Sequence, residues 1–335
     1  MAEQIMTNLY KIEIPLPNNP LRTLNSYVVA GESQSLVIDT GFNMPECLEA
    51  LLSGLYDLGI DSTNLDVLST HFHADHTGLI SQVITENSKV YMSSVDSEMF
   101  KEAVREDGNY WDVVKRKYLE EGYPTSRLSD AIKLNPAKTL IDDNGFDIVP
   151  LEEGDELDYG GFHWKVVLTP GHTPGHLCLY EPEHRILITG DHLLFDISPN
   201  ITWWDQVEDS LSSYMDSLDK ISSLDVETVL TGHRQNQGVL KERAFELQSH
   251  HHERLCEILE IVSEESCVTS YEIASKMSWR APVKWRDLSP IQRWFAVGEA
   301  ISHIEHLVHL GKLERYKNRG VNHYFIERHN LYSSV

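Results

Sequence analysis

The segment His71-Phe72-His73-Ala74-Asp75-His76 packs four potential metal ligands into six residues, and no other stretch restricts so sharply what this chain can fold into. Imidazoles and a carboxylate this close together cannot be buried without partners, and divalent cations would partner all of them. A polar surface loop is the alternative. The preceding Asp66-Val67-Leu68-Ser69-Thr70 reads as a short buried strand, so the ligand run opens at a strand's C-terminal end. On a strand-to-helix turn, positions two apart can point the same way. His71 and His73 can then share one cation while Asp75 and His76 address a second.

Three more candidates each follow an apolar strand at the start of a glycine-containing loop. They are His172 in Thr169-Pro170-Gly171-His172-Thr173-Pro174-Gly175-His176, Asp191 in Ile188-Thr189-Gly190-Asp191, and His233 in Leu230-Thr231-Gly232-His233. Each alone reads more readily as an ordinary loop residue than as a ligand. Strand ends that converge on one rim make a natural site wall, and the glycines let the backbone turn tightly there.

The intervening sequence predicts the scaffold. Residues 8–38 alternate apolar and polar positions around Pro15-Leu16-Pro17 and the turn Gly31-Glu32, a pattern of hairpin-linked strands. From Pro45 to Gly59, Leu48, Leu51, Leu52, Leu55 and Leu58 recur at helical spacing behind a first-turn proline. Short strands resume at 146–150, 162–168, 177–180, 186–189 and 227–231. Two strand-rich halves, each with helices, predict an α+β chain built as a four-layer αβ/βα sandwich, two sheets face to face with helices outside. Residues 93–135, charged and aromatic, read as an inserted cap on a pair of helices. From about residue 250 the pattern becomes helix (253–262), helix (270–277), helix (Pro290 to Leu310) and a hairpin turning at Asn318-Arg319-Gly320, which is winged-helix-like. The expected division is a catalytic part over 1–248 and a winged-helix-like part over 249–335, the latter a packing or homodimerisation module.

Charge narrows the partners. The net charge is −24, and residues 1–250 carry all of the excess, with 41 acidic against 17 basic side chains. Such a surface repels phosphate backbones and disfavours nucleic acid or an anionic membrane. No stretch approaches the roughly 18–20 apolar residues of a spanning helix and the start lacks a signal-peptide pattern, so the expected location is cytoplasmic. Cys47, Cys178, Cys256 and Cys267 show no CxxC spacing and read as buried apolar thiols, while His250-His251-His252, in a charged helical context, reads as solvated.

The run HxHxDH, then TPGHTPGH, then TGD, then TGH resembles the metallo-β-lactamase superfamily in order and spacing over roughly residues 8–245. The resemblance implies that His71, His73 and His172 hold one metal, that Asp75, His76 and His233 hold another, and that Asp191 bridges them. It also implies a buried acidic role for Asp39, in Ile38-Asp39-Thr40-Gly41, orienting a ligand histidine from beneath; a turn cap is the plainer reading. His176 matches the second histidine of its motif, where a hydrogen bond is expected rather than ligation.

The activity so implied is hydrolysis by a hydroxide shared between two divalent ions, with Asp75 orienting the nucleophile and shuttling a proton. An all-nitrogen-and-oxygen ligand set suits zinc, and iron or manganese is chemically acceptable. Substrate choice falls to the insert and to the loop 193–205 with Phe195, Trp203 and Trp204, whose aromatics either wall an apolar site or pack the insert down. A small acyl substrate, a thioester, ester or lactone, is the first expectation, in the manner of the glyoxalase II and lactonase branches. A ribonuclease or phosphodiesterase is the second.

Overall fold

The structure is a computed structural model and describes residues 1–105, 107–141, 145–265, 267–279 and 284–326. The chain opens with strands β1 (Ala2–Met6), β2 (Leu9–Pro15), β3 (Thr23–Val29) and β4 (Ser35–Ile38), paired antiparallel in sequence order. Helix α1 (Pro45–Asp57) crosses over to β5 (Leu65–Leu68), and the short helices α2 (Ala74–Thr77) and α3 (Ile80–Val83) lead to β6 (Val90–Ser93). Helices α4 (Ser94–Val104), α5 (Tyr110–Glu120), α6 (Thr125–Lys133) and α7 (Pro136–Thr139) precede β7 (Ile148–Leu151). Strands β4 to β7 run parallel and complete a seven-stranded sheet in sequence order. The second sheet holds β8 (Glu156–Tyr159), β9 (Phe162–Leu168), β10 (Leu177–Glu181), β11 (Ile186–Gly190) and β12 (Thr228–Thr231), with α8 (Ser210–Ser222) between the last two.

Side-chain parity decides how the layers stack. Leu36 and Ile38 of β4 and Leu177 and Leu179 of β10 point into one core between the sheets, with Trp164 fully buried at its centre. Their neighbours point the other way: Val37 packs under α1 with Leu51 and Leu55, and Cys178 packs under α8 with Leu218. Alternation at period two therefore gives each sheet two apolar faces, which only helices on both outsides can cover. The four-layer α+β arrangement expected from the sequence is present.

The C-terminal part consists of α9 (Leu240–Glu264), α10 (Ser270–Lys276), α11 (Pro290–His309) and a hairpin of β13 (Glu314–Asn318) and β14 (Val321–Phe325). Thr269 with Glu272, and Ser289 with Gln292, form capping boxes that start α10 and α11. The hairpin turns at Arg319 and Gly320, both with positive φ (49° and 87°). Residue 248 lies inside α9, a single helix of 25 residues.

Several sequence expectations need correction. The insert over 93–135 carries three helices rather than two. His251 is fully buried, with Nδ1 3.0 Å from His303 Nε2, because it occupies the inward stripe of α9 with Leu247, Leu255 and Ile258. Cys256 and Cys267 are exposed; only Cys47 and Cys178 are buried. No helix among the described residues is long and apolar enough to cross a membrane.

One buried carboxylate gathers several of the contacts that join the insert to the C-terminal part. Glu121, just beyond α5, accepts hydrogen bonds from Ser270, from Asn322 (2.8 Å) and from Tyr324 (2.8 Å), and faces Lys117 at 3.0 Å. Burial pushes its carboxyl up, but Lys117 and the three donors outweigh this and hold it below its ordinary 4.5. Its contribution is thus present above the unfolded-state value and lost as the pH falls through the folded one. Glu121→Ala should lower stability in urea by about 3–5 kcal/mol near neutral pH, because Ser270, Asn322 and Tyr324 lose their acceptor and Lys117 keeps only Glu305. The deficit should shrink below pH 4.5; an unchanged urea midpoint would show the network to be idle.

Candidate metal centre

Seven side chains converge where β5, β9, β11 and β12 end. His71 Nε2 lies 3.0 Å from His73 Nδ1, which lies 3.1 Å from His172 Nε2, so three ring nitrogens face one point. Beside them, His233 Nε2 is 3.4 Å from Asp75 Oδ2, and His76 Nε2 is 4.0 Å from the same oxygen. Asp191 sits between: Oδ1 is 3.3 Å from His233 and 3.7 Å from His76, and Oδ2 is 3.8 Å from His172. Three triads have ligand atoms close enough to hold an ion: His71, His73 and His172; His71, His76 and Asp191; and Asp75, His76 and His233.

Each ring is aimed by what holds its other nitrogen. Asp39 accepts from Thr70 N (2.8 Å) and from Thr70 Oγ1 (2.9 Å), and its Oδ2 takes His76 Nδ1–H at 2.8 Å. With its one hydrogen given to Asp39, the Thr70 hydroxyl accepts His71 Nδ1–H at 3.1 Å. His172 Nδ1 donates to the Asn200 carbonyl at 2.9 Å, and His233 Nδ1 to the Thr23 carbonyl at 2.7 Å. Four imidazoles therefore point Nε2 inward, and His73 alone points Nδ1. Asp39 makes the contact expected of it, from a strained backbone at φ 63°. His176 is likewise a hydrogen-bonding residue: Nδ1 donates to Thr169 Oγ1 (2.8 Å) and Nε2 accepts from Asp191 N (3.2 Å). Gly190 permits that approach, since a Cβ there would stand 2.6 Å from Thr70 Oγ1 and 2.9 Å from His176 Nε2.

The electrostatics call for a cation. His76 Nε2, His233 Nε2 and Asp191 Oδ1 are buried and have no hydrogen-bond partner among the described residues. Burial pushes the Asp75 carboxyl up, but His76 and His233 outweigh it and hold it at about 2. Burial and the neighbouring His172 depress His73 to about 3. His76 and His233 run the other way: burial lowers both, yet Asp39, Asp191 and Asp75 raise His76, and Asp191 and Asp75 carry His233 well above its ordinary value. The two carboxylates therefore attract positive charge strongly, and the imidazoles beside them, once unprotonated, can donate lone pairs. These residues fit divalent ions.

Sequence reading missed Asp96, at the start of α4. Its buried carboxyl accepts from Phe72 N (3.2 Å), Thr173 Oγ1 (2.6 Å) and Gly175 N (2.6 Å), tying two ligand loops together. Burial raises this carboxyl to about 7 although all three donors pull it down. The spacing of Ser93 and Asp96, a capping pattern with Asp96 N donating to Ser93 Oγ, was the available signal.

A cavity of about 750 Å³ opens on His73, Asp75, His172 and Asp191. Its walls include Tyr110 and Trp111 of α5 and the expected Trp203 and Trp204; Trp204 also donates its indole N–H to the His172 carbonyl at 3.2 Å. Phe195 does not line it. Its ring lies instead over Gly238, where a Cβ would stand 2.3 Å away. Two contributors were not foreseen, the loop Pro17 to Leu21 and Trp294 and Phe295 of α11. Adjacent helical residues diverge by about 100°, so two consecutive aromatics could not both have faced one core, and Phe295 is 42% exposed.

Comparison with known proteins agrees with this geometry. Residues 20–233 match the model of the metallo-beta-lactamase superfamily, and residues 256–327 match the metallo-beta-lactamase-like C-terminal domain. The chain belongs to that superfamily, and it is a metal-dependent hydrolase. An uncharacterized protein of Aquifex aeolicus is 30% identical over 69% of this chain and 93% of its own length. An acyl-coenzyme A thioesterase of Gallus gallus is 28% identical over 68% of this chain and 77% of its own. A metallo-beta-lactamase family protein of Thermus thermophilus has a solved structure that superposes with a TM-score of 0.81 at 25% identity, covering 97% of this chain and all of that one.

Proposed function

We propose that this hydrolase is dinuclear and cleaves a thioester, ester or lactone whose acyl part is apolar and uncharged. His71, His73 and His172 would hold one divalent ion, and Asp75, His76 and His233 the other, with one Asp191 oxygen turned to each. Zinc suits this nitrogen-rich set, and iron or manganese would also serve. Ions bound there supply Lewis acidity and a nucleophilic water at neutral pH.

The chain's own residues do the rest. Asp75, kept ionised at neutral pH, stands at the cavity floor, where it can take a proton from the attacking water and return it to the leaving group. Phe72 and Trp204 flank the His73 ring, with ring centroids 5.4 and 6.2 Å away, and orient it toward the cavity.

The observation that carries the substrate reading is the cavity wall. It is largely aromatic and aliphatic, and among its described residues the charged ones outside the ligand cluster are Glu98, Glu102 and Asp205. Such a wall favours a neutral acyl group and disfavours a phosphodiester backbone, and the thioesterase relative supports the same choice. Metal-loaded protein should hydrolyse members of a panel of acyl thioesters and lactones and leave single-stranded RNA intact. RNA cleavage that Asp75→Ala abolishes, with no acyl hydrolysis, would overturn the reading.

A further inference from the structure

We infer that the C-terminal part positions one of the two ion sites, and that Glu299 of α11 is the positioning residue through which it acts. The inference rests on the dinuclear reading above, in which His172 is a ligand.

The contacts form one continuous path. The His172 ring is fixed by the carbonyl of Asn200, and the Asn200 side-chain amide donates to Glu299 Oε2 at 3.0 Å and to the Phe295 carbonyl at 3.3 Å. Two more α11 contacts hold the same loop: Ser302 Oγ donates to the Ile201 carbonyl at 2.6 Å, and Thr202 lies so close to Gly298 that a Cβ there would stand 2.3 Å from its hydroxyl. The loop then returns to the site, where Trp204 holds the His172 carbonyl. His172 is thus gripped at ring and backbone by residues 200–204.

Glu299 is itself braced from behind. Its Oε1 lies 3.6 Å from Arg254 Nε of α9, and its side chain is 15% exposed. The Arg254 guanidinium stacks on Trp279 at 4.4 Å and donates to the Ser278 carbonyl at 2.6 Å. Trp279, Arg254 and Glu299 all lie beyond residue 233, outside the segment that contains the proposed ligands, and Asn200 is where the path enters it. The rings of His71, His76 and His233 have no such dependence: Thr70, Asp39 and Thr23, which hold them, all belong to the first sheet and its loops, and His73, which faces Trp204, shares its ion site with His172. Loosening the brace should therefore weaken one ion site and spare the other.

Partners that orient a ligand histidine typically carry about 10- to 100-fold in metal affinity. The test is zinc binding to the full chain by competition with a chromophoric chelator, read as two separate equivalents, with the visible spectrum of the cobalt-loaded protein as a second readout. Glu299→Leu should weaken one equivalent by about 10-fold or more and alter the cobalt spectrum, while Glu299→Gln, which keeps an acceptor oxygen, should stay near the parent. Asn200→Ala makes the same cut from the loop side and serves if Glu299→Leu does not fold. Two equivalents unchanged in both variants, or both weakened together, would overturn the inference. His172→Ala in the same titration isolates the underlying reading: if it leaves both equivalents intact, His172 is not a ligand, whatever Glu299 does.

Discussion

A His71→Ala/His73→Ala chain, loaded with excess zinc and desalted, is expected to keep fewer than about one ion per molecule against about two in the parent. The double substitution removes two of the three nitrogens that face one another around His73 Nδ1, leaving His172 with Asp191. Two donors fall short of the three or four protein ligands a zinc site uses. His71 also belongs to a second triad with His76 and Asp191, so the neighbouring site weakens as well. Elemental analysis reads the result directly, and an unchanged ion count would show that the ligands lie elsewhere.

Loss of the Asp75 carboxylate should cost activity more than any substitution outside the ligand set. Asp75→Asn keeps the size and one donor oxygen, so ion content should fall less than in the histidine double variant. Proton transfer is lost, and kcat for the preferred acyl substrate should drop by about 10²- to 10⁴-fold. Measuring ion content and kcat on the same preparation separates the two roles. Full activity with both ions in place would remove Asp75 from the proton path.

The residues that converge at the candidate centre were legible because each lies on a loop or short helix that follows an apolar strand, where the chain must turn. Asp39 was legible for the same reason, one residue beyond β4. What escaped depends on contacts distant in sequence. Asp96 acts on loops at 72 and 173–175, and nothing local to it shows those partners. Phe195 and Trp203 are indistinguishable in composition, yet one packs on Gly238 and the other faces the cavity. His251 could have been found: Leu240, Ala244, Leu247, His251, Leu255, Ile258 and Val262 form one stripe at spacings of three and four, and the histidine takes a core position in it. Reading three consecutive histidines as one solvated cluster hid that periodicity.

The uninterrupted run of α9 through residue 248 bears on how this chain can be divided. A fragment ending there would stop in mid-helix, bare the apolar stripe that α10 and α11 cover, and lose both the Trp294 side of the cavity and the Asn200 brace. A chain cut at 248 is thus expected to lose part of its cavity wall together with the loop that holds His172, so the C-terminal part belongs to the site as much as to the packing.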